Sequence, residues 1–235
     1  MNNLEIFFNI SIKYFNLDIF IINTINGNII LSKNFNFDKS SQSNTLIIEK
    51  INEILKKLIV EIEKRINLSV NKINLMIEQE NYQNIDLSIK TNFENKNIDK
   101  KSIEYLIQNL RQQLLINNRD KKFVHILVKK CFMDEEEYNI IPIGKKCKNF
   151  VVELSFIYLQ KNLFKEMEKL FNEHQILINK VICTNYAKTL MVSEFENLST
   201  IGLNILKGTN LNEVGIIPKK IKKIGFFEKL FHIFD

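Results

Sequence analysis

Isoleucine and phenylalanine recur along the chain at two spacings, and the changes of spacing separate strands from helices. Residues 6–12 and 17–23 are dense in both, and Asn26-Gly27 stands between the apolar runs 19–25 and 29–35. Asn-Gly between two β-rich runs is the strongest short-range hairpin signal, so the chain opens with two or three strands. Over residues 45–66 the step lengthens. Leu46, Ile47, Ile51, Ile54, Leu55, Leu58, Ile59 and Ile62 recur every three or four positions, which predicts an amphipathic helix of about six turns. Residues 72–78 and 84–91 return to strand patterning.

Asp99 is placed to cap a helix reaching to about residue 117, with Ile103, Leu106, Ile107, Leu110 and Leu114 on one face. Strands are predicted over 123–132, 138–143 and 150–159. Leu163, Met167, Leu170 and Phe171 mark a helix, and 176–184 a buried strand. Residues 186–207 read as helical, with a break near Ser193. From Gly208 the pattern turns polar, basic and Pro-containing, as a linker does, before a helical period returns in the last eleven residues. The class predicted is α+β, in two small lobes followed by a linker and a terminal helix.

Composition narrows the function without naming it. Six Gly and two Pro exclude collagen-like and linker-type chains, and 18 Phe exclude disorder. The charge excess, 33 basic against 27 acidic residues or +6, is diffuse, whereas a nucleic-acid binder concentrates it on one face. Its densest cluster is Lys219, Lys220, Lys222 and Lys223. Three widely spaced cysteines indicate neither a disulfide framework nor a zinc site. Met1 is followed by Asn2, Asn3, Leu4 and Glu5, so no signal peptide is expected, and no apolar run is long enough to span a bilayer.

Catalytic signals are absent from the pattern. Every Gly is isolated, so there is no phosphate-cradling loop. His125, His174 and His232 lie far apart; His125 falls inside a predicted strand, where a satisfied histidine is the ordinary case. Cys131 and Cys183 read as small core residues. Cys147, flanked by Lys145, Lys146 and Lys148, reads as a passive loop cysteine, with a thiol pKa lowered by those lysines as the alternative. The acidic run Asp134-Glu135-Glu136-Glu137 reads as a solvated loop, or as the complement of a basic patch. No enzyme, cofactor or metal is expected.

One segment is distinctive. Projected at 100° per residue, Ile224, Phe226, Phe227, Leu230, Phe231, Ile233 and Phe234 occupy one arc of roughly 180°, and Gly225, Glu228, Lys229, His232 and Asp235 fill the rest. A Phe-rich arc beside four lysines suits a helix lying in the plane of an anionic membrane surface. The expected membrane-binding set is therefore Lys219, Lys220, Lys222, Lys223, Ile224, Phe226, Phe227, Lys229, Leu230, Phe231, Ile233 and Phe234. Docking of this helix back onto the core is the competing expectation.

Residues 123–190 resemble the bacterial actin-like cell-division protein family FtsA. His125 in a strand, Asp134 after a polar run and Pro142-Ile143-Gly144 are followed by strand, helix and strand in that family's order. Ser199-Thr200-Ile201-Gly202-Leu203 resembles the start of the last helix of its actin-like core, and the basic linker with the Phe-rich helix resembles its membrane-targeting sequence. Departures accompany the matches. The second actin-like domain and its Asp-x-Gly-Gly-Gly-Thr loop are missing, Asn9-Ile10-Ser11-Ile12-Lys13 stands where a first phosphate loop belongs, and Val128 and Gln175 replace a Pro and a Gly.

The resemblance implies a partial actin-like first lobe (1–83 and 174–207), an inserted strand–helix–strand–strand module of SHS2 type (84–173), a basic linker (208–223) and an amphipathic membrane-targeting helix (224–235). It further implies a non-catalytic adaptor on the cytoplasmic side of the membrane at the division site. Its partners would be anionic lipids and other cell-division proteins, FtsZ or late division proteins among them. The alternative from another class is a basic single-stranded nucleic-acid binder. That reading needs aromatics interleaved with Lys or Arg, and here they alternate mostly with Asn or Ile, so no nucleic acid is expected.

Overall fold

The computed structural model describes residues 3–12, 14–37, 44–79, 83–193 and 196–214. Two sheets carry the architecture, and the α+β class expected from the pattern is the one found. The first sheet contains β1 (Leu4–Ser11), β2 (Asn16–Asn23), β3 (Ile29–Asn36), β4 (Lys72–Glu78) and β9 (Leu177–Cys183), in the order β3-β2-β1-β4-β9. β1, β2 and β3 pair antiparallel, whereas β4 runs parallel to both β1 and β9. The second sheet has the order β5-β8-β6-β7, built from β5 (Asn84–Asn97), β6 (Lys121–Met133), β7 (Glu136–Tyr138) and β8 (Lys146–Gln160). It is antiparallel throughout and enters the chain between β4 and β9.

Helix α1 (Asn44–Ile66) lays Ile51, Leu55, Leu58 and Ile62 into the first core, one face of the predicted stripe. α2 (Lys100–Asn117) begins where Asp99 caps it, accepting the Ser102 N–H at 2.9 Å, and buries Ile103 and Ile107 against the second sheet. α3 (Lys161–Glu173) follows the second sheet in sequence, yet its Leu163, Phe164, Met167, Leu170 and Phe171 belong to the first core. Phe8 meets Phe171 edge to face at 5.3 Å, so the helix that leaves one sheet seals the other. α4 (Thr184–Thr189) and α5 (Leu198–Lys207) complete the chain's helices among the described residues.

Several boundaries differ from the pattern for identifiable reasons. β5 runs on to Asn97 because an edge strand is held by its backbone pairing with β8, so polar side chains do not end it; a bulge at Glu94 and Asn95, both at positive φ, bends it on the way. The strand predicted over 138–143 shrinks to Glu136–Tyr138. Ile140 and Ile143 are half exposed and Pro142 offers no N–H, so no ladder continues. The helical stretch predicted over 186–207 splits into α4 and α5. Gly208, in the left-handed conformation at φ +67°, ends α5 and sends its N–H to Ile205 O.

The largest departure concerns residues 208–214, expected as linker. Here they lie against the second sheet. The Val128 N–H reaches Asn212 O at 2.8 Å and the Val214 N–H reaches Ile126 O at 2.8 Å, which closes an antiparallel bridge between Leu127 and Glu213. β6 is bulged on either side of this stretch, between Phe123 and His125 and between Val128 and Lys130.

Candidate functional site

All twelve residues expected to bind a membrane, Lys219 to Phe234, lie outside the described residues, as do 215–223 of the linker. The structure does show where the chain leads into them. Residues 208–214 form a strap across the junction of the two sheets, and Glu213 is its fastener.

Glu213 accepts from His125 Nδ1 at 2.8 Å and from the Tyr186 hydroxyl at 2.8 Å. His125 comes from β6, Tyr186 from α4 and Glu213 from the strap. The Cys183 N–H, at the end of β9, reaches His125 Nε2 at 3.0 Å. This single imidazole therefore bonds the first sheet through Nε2 and the strap through Nδ1. Because Nε2 accepts, the network assigns the proton to Nδ1 and leaves the ring neutral. Burial pushes His125 below its ordinary value, with Glu213 opposing. Burial also resists charge on Glu213, but the bonds from His125 and Tyr186 outweigh it and hold the carboxyl below its usual range. Tyr186 packs on the imidazole with centroids 4.5 Å apart, and Asn210 Nδ2 donates to its hydroxyl at 2.9 Å.

A His–Glu–Tyr cluster resembles acid–base machinery only in composition. A general base needs a ring nitrogen open to substrate, and both nitrogens of His125 are committed to protein partners. The arrangement can fasten, and neither ring nitrogen of His125 is open to a substrate. The sequence singled out His125 as a satisfied strand histidine, and the structure agrees. Glu213 and Tyr186 carried no sequence signal, since their partners lie 88 and 27 positions away.

Ligands of open parallel sheets bind beyond the carboxyl ends of the strands, so that edge bears on the expected lack of a nucleotide site. Ser11, Glu78 and Cys183 end the three parallel strands. Among the described residues, side-chain hydrogen bonds lie at this edge. Thr184 Oγ1 donates to Asn9 Oδ1 at 2.7 Å, Lys188 Nζ to Glu78 at 2.6 Å, and the Gln79 N–H to Asn185 Oδ1 at 3.2 Å. No glycine stands at this edge to let a phosphate approach backbone N–H groups.

The cysteines are buried. Desolvation pushes the Cys131 thiol up to about 11. Cys147, expected as a passive loop cysteine, instead sits inside β8, and burial raises its thiol with Asp134 adding to the effect. His174 bonds Asn52 at 2.7 Å and ties α3 to α1. Among the described residues no cluster of His, Cys, Asp or Glu can hold a metal ion, and no helix is long and apolar enough to cross a membrane.

The chain matches no protein-family model and no curated protein. Solved structures to which it is similar include the cytoplasmic domain of EpsL, an inner membrane component of the type II secretion system of Vibrio cholerae (9% identity, 78% of this chain and 57% of that one, TM-score 0.36). Another is the PilM–PilN type IV pilus biogenesis complex (7% identity, 80% and 48%, TM-score 0.41). A third is a protein with an actin-like ATPase fold from Bacteroides thetaiotaomicron (13% identity, 78% and 54%, TM-score 0.31). The chain spans about half the length of these structures.

Proposed function

We propose that this protein is a non-catalytic, membrane-anchored adaptor, and that it serves the bacterial cell-division machinery as an FtsA-like protein. The observation that carries the adaptor reading is the strap. It delivers residue 214 to the junction of the two sheets and fastens it there by two backbone hydrogen bonds and by Glu213. A tail leaving from that point pulls on both sheets, as an anchor must if it is to hold the whole body. The strand order β3-β2-β1-β4-β9, with a strand–helix–strand–strand element between β4 and β9, supports the actin-like reading. The lack of any glycine at the carboxyl edge of the parallel strands, and the side-chain hydrogen bonds there, support the non-catalytic one.

The anchor itself is residues 224–235. Its Phe-rich arc would immerse partially in the interface, and each nearby lysine adds about 1 kcal/mol at an anionic leaflet. The decisive experiment compares the full chain with one ending at residue 214 in co-sedimentation with anionic liposomes. The full chain is expected in the pellet and the shorter one in the supernatant; equal pelleting would overturn the anchor. A fluorescent fusion separates the finer readings, since bands at the division plane support the division adaptor. Nucleoid signal supports the nucleic-acid alternative.

A further inference from the structure

The Asn26-Gly27 pair turns the chain between β2 and β3, and its chemistry reaches beyond the turn. Asn26 is exposed, and Gly27 follows it at φ +73° with no atom within 4 Å of the place a Cβ would take. Glycine leaves its backbone nitrogen with no side chain beside it and lets that nitrogen swing toward the preceding residue. The chain's remaining glycines follow Ile, Lys or Val, so no second Asn-Gly pair exists in the sequence.

The structure makes the neighbouring carboxamide an electrophile. Asn26 Oδ1 accepts the Asn28 N–H at 3.0 Å. A donor held on a carbonyl oxygen stabilises the oxyanion that forms when a nucleophile adds to the carbonyl carbon. Asn23, Asn92 and Asn210 accept the N–H two residues on in the same way, at 2.9, 2.7 and 3.0 Å, but they precede Thr24, Phe93 and Leu211. Asn26 alone joins the polarised carboxamide to a following glycine. The Gly27 N–H donates to Asn23 O at 2.9 Å, so attack waits on the opening of that bond. Exposed turns open locally at little cost.

We propose that Asn26 is a site of spontaneous deamidation, with water as the second reactant. The Gly27 nitrogen adds to Asn26 Cγ. The N–Cγ bond forms, the Cγ–Nδ2 bond breaks, and ammonia leaves with the proton that Gly27 gives up. Water then opens the cyclic imide. Adding at Cγ and breaking its bond to the Gly27 nitrogen, it gives aspartate. Adding at the Asn26 backbone carbonyl carbon, it gives isoaspartate, whose main chain runs on through Cγ. Nothing is oxidised or reduced. Either product adds a carboxylate to the turn whose Thr24 O accepts from Lys207 Nζ at 3.2 Å, at the end of α5. The isoaspartyl form also lengthens the turn by a methylene, inside the segment that the Asn23 N–H closes on Asn28 O at 2.9 Å. The conversion does not depend on the adaptor role.

The test is peptide mass spectrometry of the full chain, sampled over days at mildly alkaline pH. Fragment ions place the mass gain of carboxamide-to-carboxylate conversion on individual residues. Asn26 is expected to convert at least several-fold faster than Asn23, Asn92 and Asn210 in the same molecules, to a mixture of aspartate and isoaspartate. Ammonia release should keep pace, and a methyltransferase specific for isoaspartyl residues should label the aged chain. Asn26→Gln is expected to abolish that label, because the longer side chain closes its ring far more slowly. If this variant does not fold, the comparison of Asn26 with Asn23, Asn92 and Asn210 in the wild type decides by itself. Conversion at Asn26 no faster than at those residues, or a label of equal strength in folded Asn26→Gln, would each overturn the proposal.

Discussion

Replacing Glu213 by Leu should unfasten the strap, and the structure sets the scale. The substitution strands two donors in a closed site, His125 Nδ1–H and the Tyr186 hydroxyl, each 2.8 Å from the carboxylate it loses. A buried donor left without an acceptor costs about 1–3 kcal/mol. Solvent reaching the loosened strap recovers part of this, so a net loss of about 2–4 kcal/mol is expected, out of a total stability of roughly 5–15 kcal/mol. Urea unfolding at pH 8, followed by far-UV circular dichroism, measures it. A loss below about 0.5 kcal/mol would refute the fastening role, because surface substitutions fall in that range.

Titration supplies a second readout with a definite sign. Folded His125 titrates below its ordinary 6.5, so just below that pH the unfolded chain binds a proton that the native ring refuses. The contribution of His125 is thus complete above about pH 6.5 and is lost as pH falls below it, toward the lowered folded value. Glu213, also held low, adds its own loss at more acid pH, below its ordinary 4.5. His125→Phe should remove the upper of these two declines, and because it also removes one of the bonds that hold Glu213 low, the lower decline should shrink. An unchanged slope just below pH 6.5 in that variant would show that the imidazole is not the titrating group.

Gly202→Ala should cost about 1–3 kcal/mol, since a Cβ there would lie 2.8 Å from the Phe7 ring inside the first core; thermal unfolding checks it. Ser199→Ala should be neutral or slightly stabilising in the same assay, because its buried hydroxyl has no partner among the described residues. Phe227→Glu with Phe231→Glu should abolish liposome binding, whereas Gln at Lys219, Lys220, Lys222 and Lys223 should weaken it mainly on anionic vesicles. Calorimetric titration with Mg-ATP should show no micromolar binding, given that every glycine is isolated and none stands at the carboxyl edge of the parallel strands.

Much of the secondary structure was legible because local forces decide it. The Asn26-Gly27 turn, the Asp99 cap and the apolar stripe of α1 act within a few residues, and all three stand where the pattern put them. Elements held by distant partners were misjudged. The polar end of β5 is a strand because β8 pairs with it, and the apolar 139–143 is not one because nothing does. No spacing rule sees either partner.

By itself the sequence determined the α+β class, most element positions and the Phe-rich tail with its lysines, because periodicity and capping act over one or two turns. Only the tertiary structure decided that α3 seals the first core rather than the second, and that residues 208–214 are a strap instead of a linker. Only it made His125, Tyr186 and Glu213 one cluster. This grouping joins residues tens of positions apart. Polar side chains carry no periodic signature, and their pairing is settled by desolvation once the two sheets close on each other.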